Sequence, residues 1–198
     1  MGGTNWTQIL NAQEFLSTTE KVYMRWLTVA PSDADVVYAL ASIKYYDQGI
    51  LLRSTDGGDE WARSDSIVDG KGVCLAVDPH DPQRLYLGSW YAGVYRSTDG
   101  GSTWQPINAG LPTSHALVRS IAIDPVDTQR VYIGVGGQVY QSTDGGDHWN
   151  GIGNVLPAEV QRMAVGTNGT VYAAVYGEGV YRLVHAVYLP IVLERAGL

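Results

Sequence analysis

Carboxylates set beside aromatic rings are the residues of this chain whose type and spacing first suggest chemistry. Asp47 lies in 44-KYYDQG-49 and Glu178 in 176-YGEG-179, each within two residues of a tyrosine. Cleavage of a glycosidic bond uses two carboxylates about 5–10 Å apart, one on either side of the bond. The chain has 20 acidic residues. Asp56, Asp99 and Asp144, with Asp78, Asp81, Asp124 and Asp127, belong to turn sequences; Asp47, Asp69, Glu159 and Glu178 are the candidates for the opposite face. Asp47 and Glu178 are the catalytic candidates, although nothing in their spacing makes them a pair.

Two further groups of residues could bind. Tyr45, Tyr46, Trp90, Tyr91 and Tyr176 fall in the connections between presumed second and third strands. Aromatic platforms with nearby acids suit sugar rings, whose C–H faces stack, or extended peptides. The plainer reading is that these rings pack on one another. Arg25 and Arg119 occupy equivalent positions at the start of innermost strands, with Arg162 one position off. Converging guanidinium groups bind a carboxylate bidentately; the competing reading is that they are structural or solvated.

Other chemistries find no support. There is no G-x-S-x-G, H-E-x-x-H, P-loop or C-x-x-C pattern. His80, His115, His148 and His185 are scattered without metal-ligand spacing. No cofactor and no metal are expected. Cys74 stands alone in an apolar run, so no intrachain disulfide forms and a buried thiol is expected. A net charge of −7, with 13 Lys and Arg that form no run, argues against a nucleic-acid groove. No stretch reaches the roughly 20 apolar residues that span a bilayer, so no membrane insertion is expected. Residues Met1 to Thr4 lack the basic and apolar regions of a signal peptide.

The elements that must position these residues repeat. The stretch 96-RSTDGGSTW-104 recurs as 53-RSTDGGDEW-61 and 141-QSTDGGDHW-149, with the serines 43 and 45 residues apart. Such a period, with strand-like flanks, marks a repeat architecture. Ser-Thr-Asp-Gly-Gly is turn chemistry: the Ser and Asp side chains bond nearby backbone N–H groups, and glycine accepts positive φ. Apolar alternation precedes each turn and a tryptophan follows it, so the unit is a hairpin with an aromatic at its root. Four units read in parallel: 27-LTVAPSDADVVYAL-40, 75-LAVDPHDPQRLYLG-88, 121-IAIDPVDTQRVYIG-134 and 163-MAVGTNGTVYAA-174, followed by 50-ILLRS-54, 93-GVYRS-97, 138-QVYQS-142 and 179-GVYRL-183. With the strand after each turn this makes four strands per repeat, the composition of a propeller blade.

The repeated residues resemble the Asp box, Ser-x-Asp-x-Gly-x-Thr-Trp, also called the BNR repeat. Proteins that carry it in series are similar to β-propellers: sialidases, xyloglucan-cleaving glycoside hydrolases, the sortilin receptor domain and photosystem assembly factors. The resemblance implies an all-β propeller of four-stranded antiparallel blades, about four of them here. It also implies that Ser54, Asp56, Gly58 and Trp61, Ser97, Asp99, Gly101 and Trp104, and Ser142, Asp144, Gly146 and Trp149 are structural and lie on the face opposite the site. The Thr of the pattern is present only as Thr103, replaced by Glu60 and His148 elsewhere.

One domain over 1–198 is expected, with blades at about 22–68, 70–110, 115–155 and 160–185 and a tail strand at 186–198. Residues 2-GGTNWTQI-9 align with 100-GGSTWQPI-107, so the chain reads as starting inside a box. Strand 4–9 then completes the last blade, or further blades in cis or from a second chain complete the ring. The expected function is a non-catalytic recognition or scaffold module for carbohydrate or a protein segment. It would belong to an exported bacterial protein, extracellular or at the cell surface. The alternatives are a piece of a xyloglucanase-like or sialidase-like glycoside hydrolase, and an assembly factor gripping a partner's tail.

Overall fold

A computed structural model describes residues 5–43, 49–64, 72–112 and 116–184. Four antiparallel sheets follow one another along the chain. The first is β1 (Val22–Ala30), β2 (Asp33–Ile43), β3 (Gly49–Ser54) and β4 (Ala62–Ser64). The second is β5 (Gly72–Val77), β6 (Leu85–Ser89), β7 (Val94–Ser97) and β8 (Gln105–Pro106). The third is β9 (Val118–Ile123), β10 (Val131–Val135), β11 (Gln138–Ser142) and β12 (Asn150–Ile152). The fourth holds β13 (Val160–Val165), β14 (Val171–Val175) and β15 (Gly179–Arg182). Strand order is sequential in every sheet, and the first strands lie side by side, β1 by β5, β5 by β9 and β9 by β13. This is the all-β propeller arrangement of blades that the repeat implied. The single helix among the described residues, α1 (Ala12–Phe15), lies in the N-terminal segment.

The repeated turn accounts for the blade shape. Ser54, Ser97 and Ser142 each donate to the carboxylate two residues on, Oγ to Oδ1 at 2.7 Å in all three copies. Each Oγ also accepts the N–H of the glycine four residues on, at 2.9, 2.8 and 2.7 Å. The carboxylates of Asp56, Asp99 and Asp144 in turn accept the backbone N–H of Glu60, Thr103 and His148, each at 2.9 Å. Both glycines of each turn have positive φ, for example 70° at Gly100 and 88° at Gly101. A Cβ on Gly101 would also fall 2.2 Å from Leu51 Cδ2 of the first blade. The turn can therefore be neither unstrained nor closely packed with another residue there. Where Thr103 donates its hydroxyl to Asp99 Oδ2 at 2.6 Å, His148 Nδ1 lies 2.9 Å from Asp144 Oδ2, so the histidine replaces the threonine in kind.

The core consists of layers between blades rather than one central mass. Leu40 and Leu51 pack against Leu75, Leu85 and Trp104 at the first boundary, and Tyr86, Val94 and Ile107 pack against Val131, Ile133 and Trp149 at the second. Trp149, 2 % exposed, donates its indole N–H to Ile107 O of the preceding blade at 2.7 Å. The tyrosines of β2 and β6 reach across these boundaries in the other direction. Tyr38 donates to Pro82 O and Tyr86 to Gly145 O, both in the following blade. Cys74 is buried as expected, and burial pushes its thiol up to about 12.

The N-terminal segment does not take the place expected of it beside β15. Residues 5–10 form no strand with the fourth sheet; Leu10 and Leu16 pack against Ala39, Ala41, Ile50 and Leu52 of the first blade. Those apolar side chains would otherwise face water, and the covering segment is adjacent to them in sequence. The tail strand expected at 186–198 lies outside the described residues.

Two outcomes follow from the turn and its tryptophan. Trp149→Ala should lower stability in urea unfolding by about 3–5 kcal/mol, because the ring is fully buried between blades. The second outcome concerns acid. Asp99 is pulled down to about 2, chiefly by the Thr103 hydroxyl, then by the Thr103 N–H and the Ser97 hydroxyl. Asp144 and Asp56 are lowered as well, first of all by the backbone N–H of His148 and of Glu60. A depressed carboxyl stabilises the fold fully above its unfolded value of about 4 and loses that contribution as pH falls through the folded value. Melting temperature should therefore drop between about pH 4 and pH 2, and Asp99→Asn should remove its share of that slope.

Candidate aromatic face

Backbone hydrogen bonds assign the two ends of the blades. Each repeated turn bonds to the same end of its own blade, at the start of β2 or in the connection between first and second strands: Gly57 N–H to Asp35 O, Gly100 N–H to Gln83 O and Gly145 N–H to Gln129 O. The opposite end carries the connections between second and third strands, bonded to the segments that link blades. Gly93 N–H meets Ala116 O, Val160 N–H meets Gly136 O and Tyr176 N–H meets Glu159 O. Those bonds hold the loops of this face in place, and the candidate binding residues that are described lie here.

A row of side chains crosses three blades on this face. The rings of Trp90 and Tyr91 are 6.1 Å apart at their centroids, in the loop after β6. The Arg119 guanidinium, from the third blade, sits over the Trp90 ring at 4.5 Å. Arg119 Nε is 3.3 Å from Glu159 Oε2, in the segment leading into the fourth blade, as an ion pair without aligned hydrogen-bond geometry. Glu159 then holds the Tyr176 backbone through its carbonyl. Tyr91 and Tyr176 are 57 % and 71 % exposed, whereas Trp90 is half-buried.

Each of the three arginines has its own partners. Arg25 Nε donates to Ser42 Oγ at 3.3 Å, and its guanidinium lies 5.5 Å from the Tyr23 ring centre. Arg162 stacks on Trp26 of the first blade at 4.4 Å and donates to Gln161 O. Each guanidinium is thus engaged with a different aromatic ring. Tyr45, Tyr46, Asp47 and Asp69 lie outside the described residues; Glu178 is on this face, in the loop before β15. No group of three or more metal-ligating side chains occurs among the described residues.

Three features escaped the sequence reading. Glu159 was one of four loose acids, with no signal that it would pair with Arg119. Trp26 was unassigned, although it aligns with Arg162. The third is a bulge repeated in every first strand. Met24 and Trp26 pair with Ala41 and Leu40, Gly72 and Cys74 with Ser89 and Gly88, Val118 and Ser120 with Val135 and Gly134, and Val160 and Arg162 with Val175 and Ala174. Arg25, Val73, Arg119 and Gln161 are the extra residues. A bulge re-aims side chains where a strand meets a site, and here it lies at the end of the strand nearest the aromatic face.

Blades of sequential antiparallel strands, clasped by a repeated Ser-x-Asp turn, define a β-propeller of the Asp-box class. The Sortilin-Vps10 family model, described as sortilin, neurotensin receptor 3, matches residues 49–154, and the chain belongs to that family. It is 36 % identical over 92 residues to the xyloglucanase Xgh74A of Acetivibrio thermocellus, across 40 % of this chain and 11 % of that protein. It is 34 % identical over 65 residues to vacuolar protein sorting/targeting protein 10 of Mycosarcoma maydis, across 32 % of this chain and 4 % of that one. Among solved structures it is similar to the GH74 enzyme of Niastella koreensis, with a TM-score of 0.67, 27 % identity, and coverage of 82 % of this chain and 29 % of that one. The chain spans only about a tenth of the length of the xyloglucanases it matches.

The stacked pair on this face gives a direct test. Arg119→Ala should free the Trp90 ring, seen as altered near-ultraviolet circular dichroism and greater quenching by acrylamide. The stability cost should be about 0.5–2 kcal/mol, the range of one cation–π contact.

Proposed function

We propose that the chain is a non-catalytic recognition module that binds carbohydrate or an extended protein segment through the face carrying Trp90, Tyr91 and Tyr176. The observation that carries this reading is the row Tyr91–Trp90–Arg119–Glu159–Tyr176, in which two exposed rings flank a guanidinium–carboxylate pair fixed by stacking. Rings offer faces to sugar C–H groups or apolar side chains, and the charged pair offers hydrogen bonds to hydroxyls or amides. Tyr45, Tyr46 and Arg25 belong to the same proposal as further contacts, and the reading places the protein outside the cell or at its surface. The xyloglucanase relatives make a β-glucan the first ligand to test.

A second reading, a piece of a glycoside hydrolase, is favoured by the similarity to xyloglucanases. Glu178 and Asp47 are its candidate carboxylates.

Calorimetric titration with xyloglucan oligosaccharides and with tyrosine-rich and acidic peptides tests the proposal. Tyr91→Ala with Tyr176→Ala should weaken binding at least about fivefold, two ring contacts of roughly 0.5–1.5 kcal/mol each, with melting nearly unchanged because both rings are exposed. Binding that survives the double variant defeats the proposal. Hydrolysis of xyloglucan that Glu178→Gln abolishes establishes the second reading instead.

A further inference from the structure

The boundary between the third and fourth blades differs from the two before it. At the second boundary Trp149 fills a socket made with Val94, Ile107, Val131 and Ile133. One blade on, the corresponding residues are Val139, Ile152, Val171 and Ala173. They line an apolar groove of about 560 Å³. The fourth blade supplies no tryptophan to it, since no Ser-x-Asp-x-Gly turn follows β15. Among the described residues β15 pairs only with β14, whereas β3, β7 and β11 each carry an outer strand. Among the described residues the far end of the array is uncovered too: Tyr172 is 40 % exposed, while its equivalents Tyr38 and Tyr86 are fully buried by the blade that follows them.

The chain contains the missing strand elsewhere. Residues 5-NWTQI-9 match 103-TWQPI-107 and 148-HWNGI-152, which place Trp104 and Trp149 at blade boundaries. Their position matches as well. A Cβ on Gly146 would fall 2.5 Å from Ile107 Cδ1, and a Cβ on Gly58 would fall 2.6 Å from Ile9 Cδ1. Ile9 thus meets the first blade as Ile107, the residue that follows the outer strand β8 of one blade, meets the next. The segment sits where the outer strand of a preceding blade belongs, yet Trp6 is fully exposed. Among the described residues of one molecule, nothing covers Trp6 or fills the groove.

We propose that two copies of this chain join head to tail, residues 5–9 of each completing the fourth sheet of the other, with Trp6 entering the groove between its third and fourth blades. The strand keeps its place on its own first blade, so the fourth blade of one copy comes to lie against the first blade of the other. The register follows from the complete blades, where Tyr95 faces Pro106 and Arg96 faces Gln105. It sets Tyr181 opposite Gln8 and Arg182 opposite Thr7. Two sets of four blades close a ring of eight, within the range of about four to eight blades known for propellers. Association in this way covers an unpaired strand edge and an apolar groove, both liabilities when exposed.

The full chain tests this. Sedimentation equilibrium should show a dimer, and Trp6→Ala should weaken it at least about tenfold while leaving the far-ultraviolet spectrum unchanged. The pair Thr7→Cys and Arg182→Cys should give a covalent dimer on mild oxidation, read on a non-reducing gel; the native thiol, Cys74, is buried and does not compete. A monomer at all concentrations overturns the proposal. So does a dimer indifferent to Trp6→Ala, and so does a disulfide formed within one chain, which would mean that the segment closes its own ring.

Discussion

A serine hydroxyl that gives one hydrogen bond and takes another holds each of the first three blades of this protein together. Its proton goes to an aspartate two residues on, and its lone pair receives the N–H of a glycine four residues on. With both partners fixed, the chain must reverse within a few residues, and the glycines supply the left-handed backbone that this reversal needs. The residue that leaves the turn is a tryptophan, and its direction is set by the turn. In the second and third blades that direction is toward the preceding blade, where the ring completes the apolar layer. Loss of the hydroxyl would therefore affect the packing between blades as well as the turn.

Layers between blades make stability a matter of neighbours. Each sheet is short and thin, and its apolar faces are covered only when another blade stands on either side. The tyrosines show the effect in graded form: buried at the inner boundaries, and 40 % exposed at Tyr172, in the last of the described blades. Polar contacts run the same way. Arg96 reaches Gly145 O and Asp147 in the next blade, both at 2.8 Å, whereas Gln141, at the same position one blade later, turns back to the Tyr132 hydroxyl. The side chain at this position changes where the following blade has no box to receive it.

The face opposite the boxes is organised by different means. Backbone bonds join the loops of the second, third and fourth blades to the links between blades, and stacking of guanidinium groups on indole rings ties blade to blade above them. Arginine stacked on tryptophan keeps its charge while covering apolar surface, which makes a face both firm and polar. The repeated bulge in the first strands lies next to this network, and it puts Arg119 among residues that simple alternation along a strand would not have grouped.

Much of this was written in the chain itself. Local hydrogen bonds between residues two and four apart specify the turn, so Ser-x-Asp-x-Gly reveals it without knowledge of anything distant. Alternating apolar residues before and after it give the strands, and the regular spacing gives the number of blades. The aromatic face was legible as a set of residue types in equivalent loops. Contacts between blades were not. Pairing of Arg119 with Trp90 and Glu159, or of Arg162 with Trp26, joins residues from 29 to 136 positions apart, and their relation depends on blade twist and on one inserted residue per first strand. Placement of residues 5–10 on the first blade was likewise decided by tertiary packing. The segment's own pattern suits an outer strand of any blade, and only the three-dimensional arrangement determines which apolar surface lies within its reach.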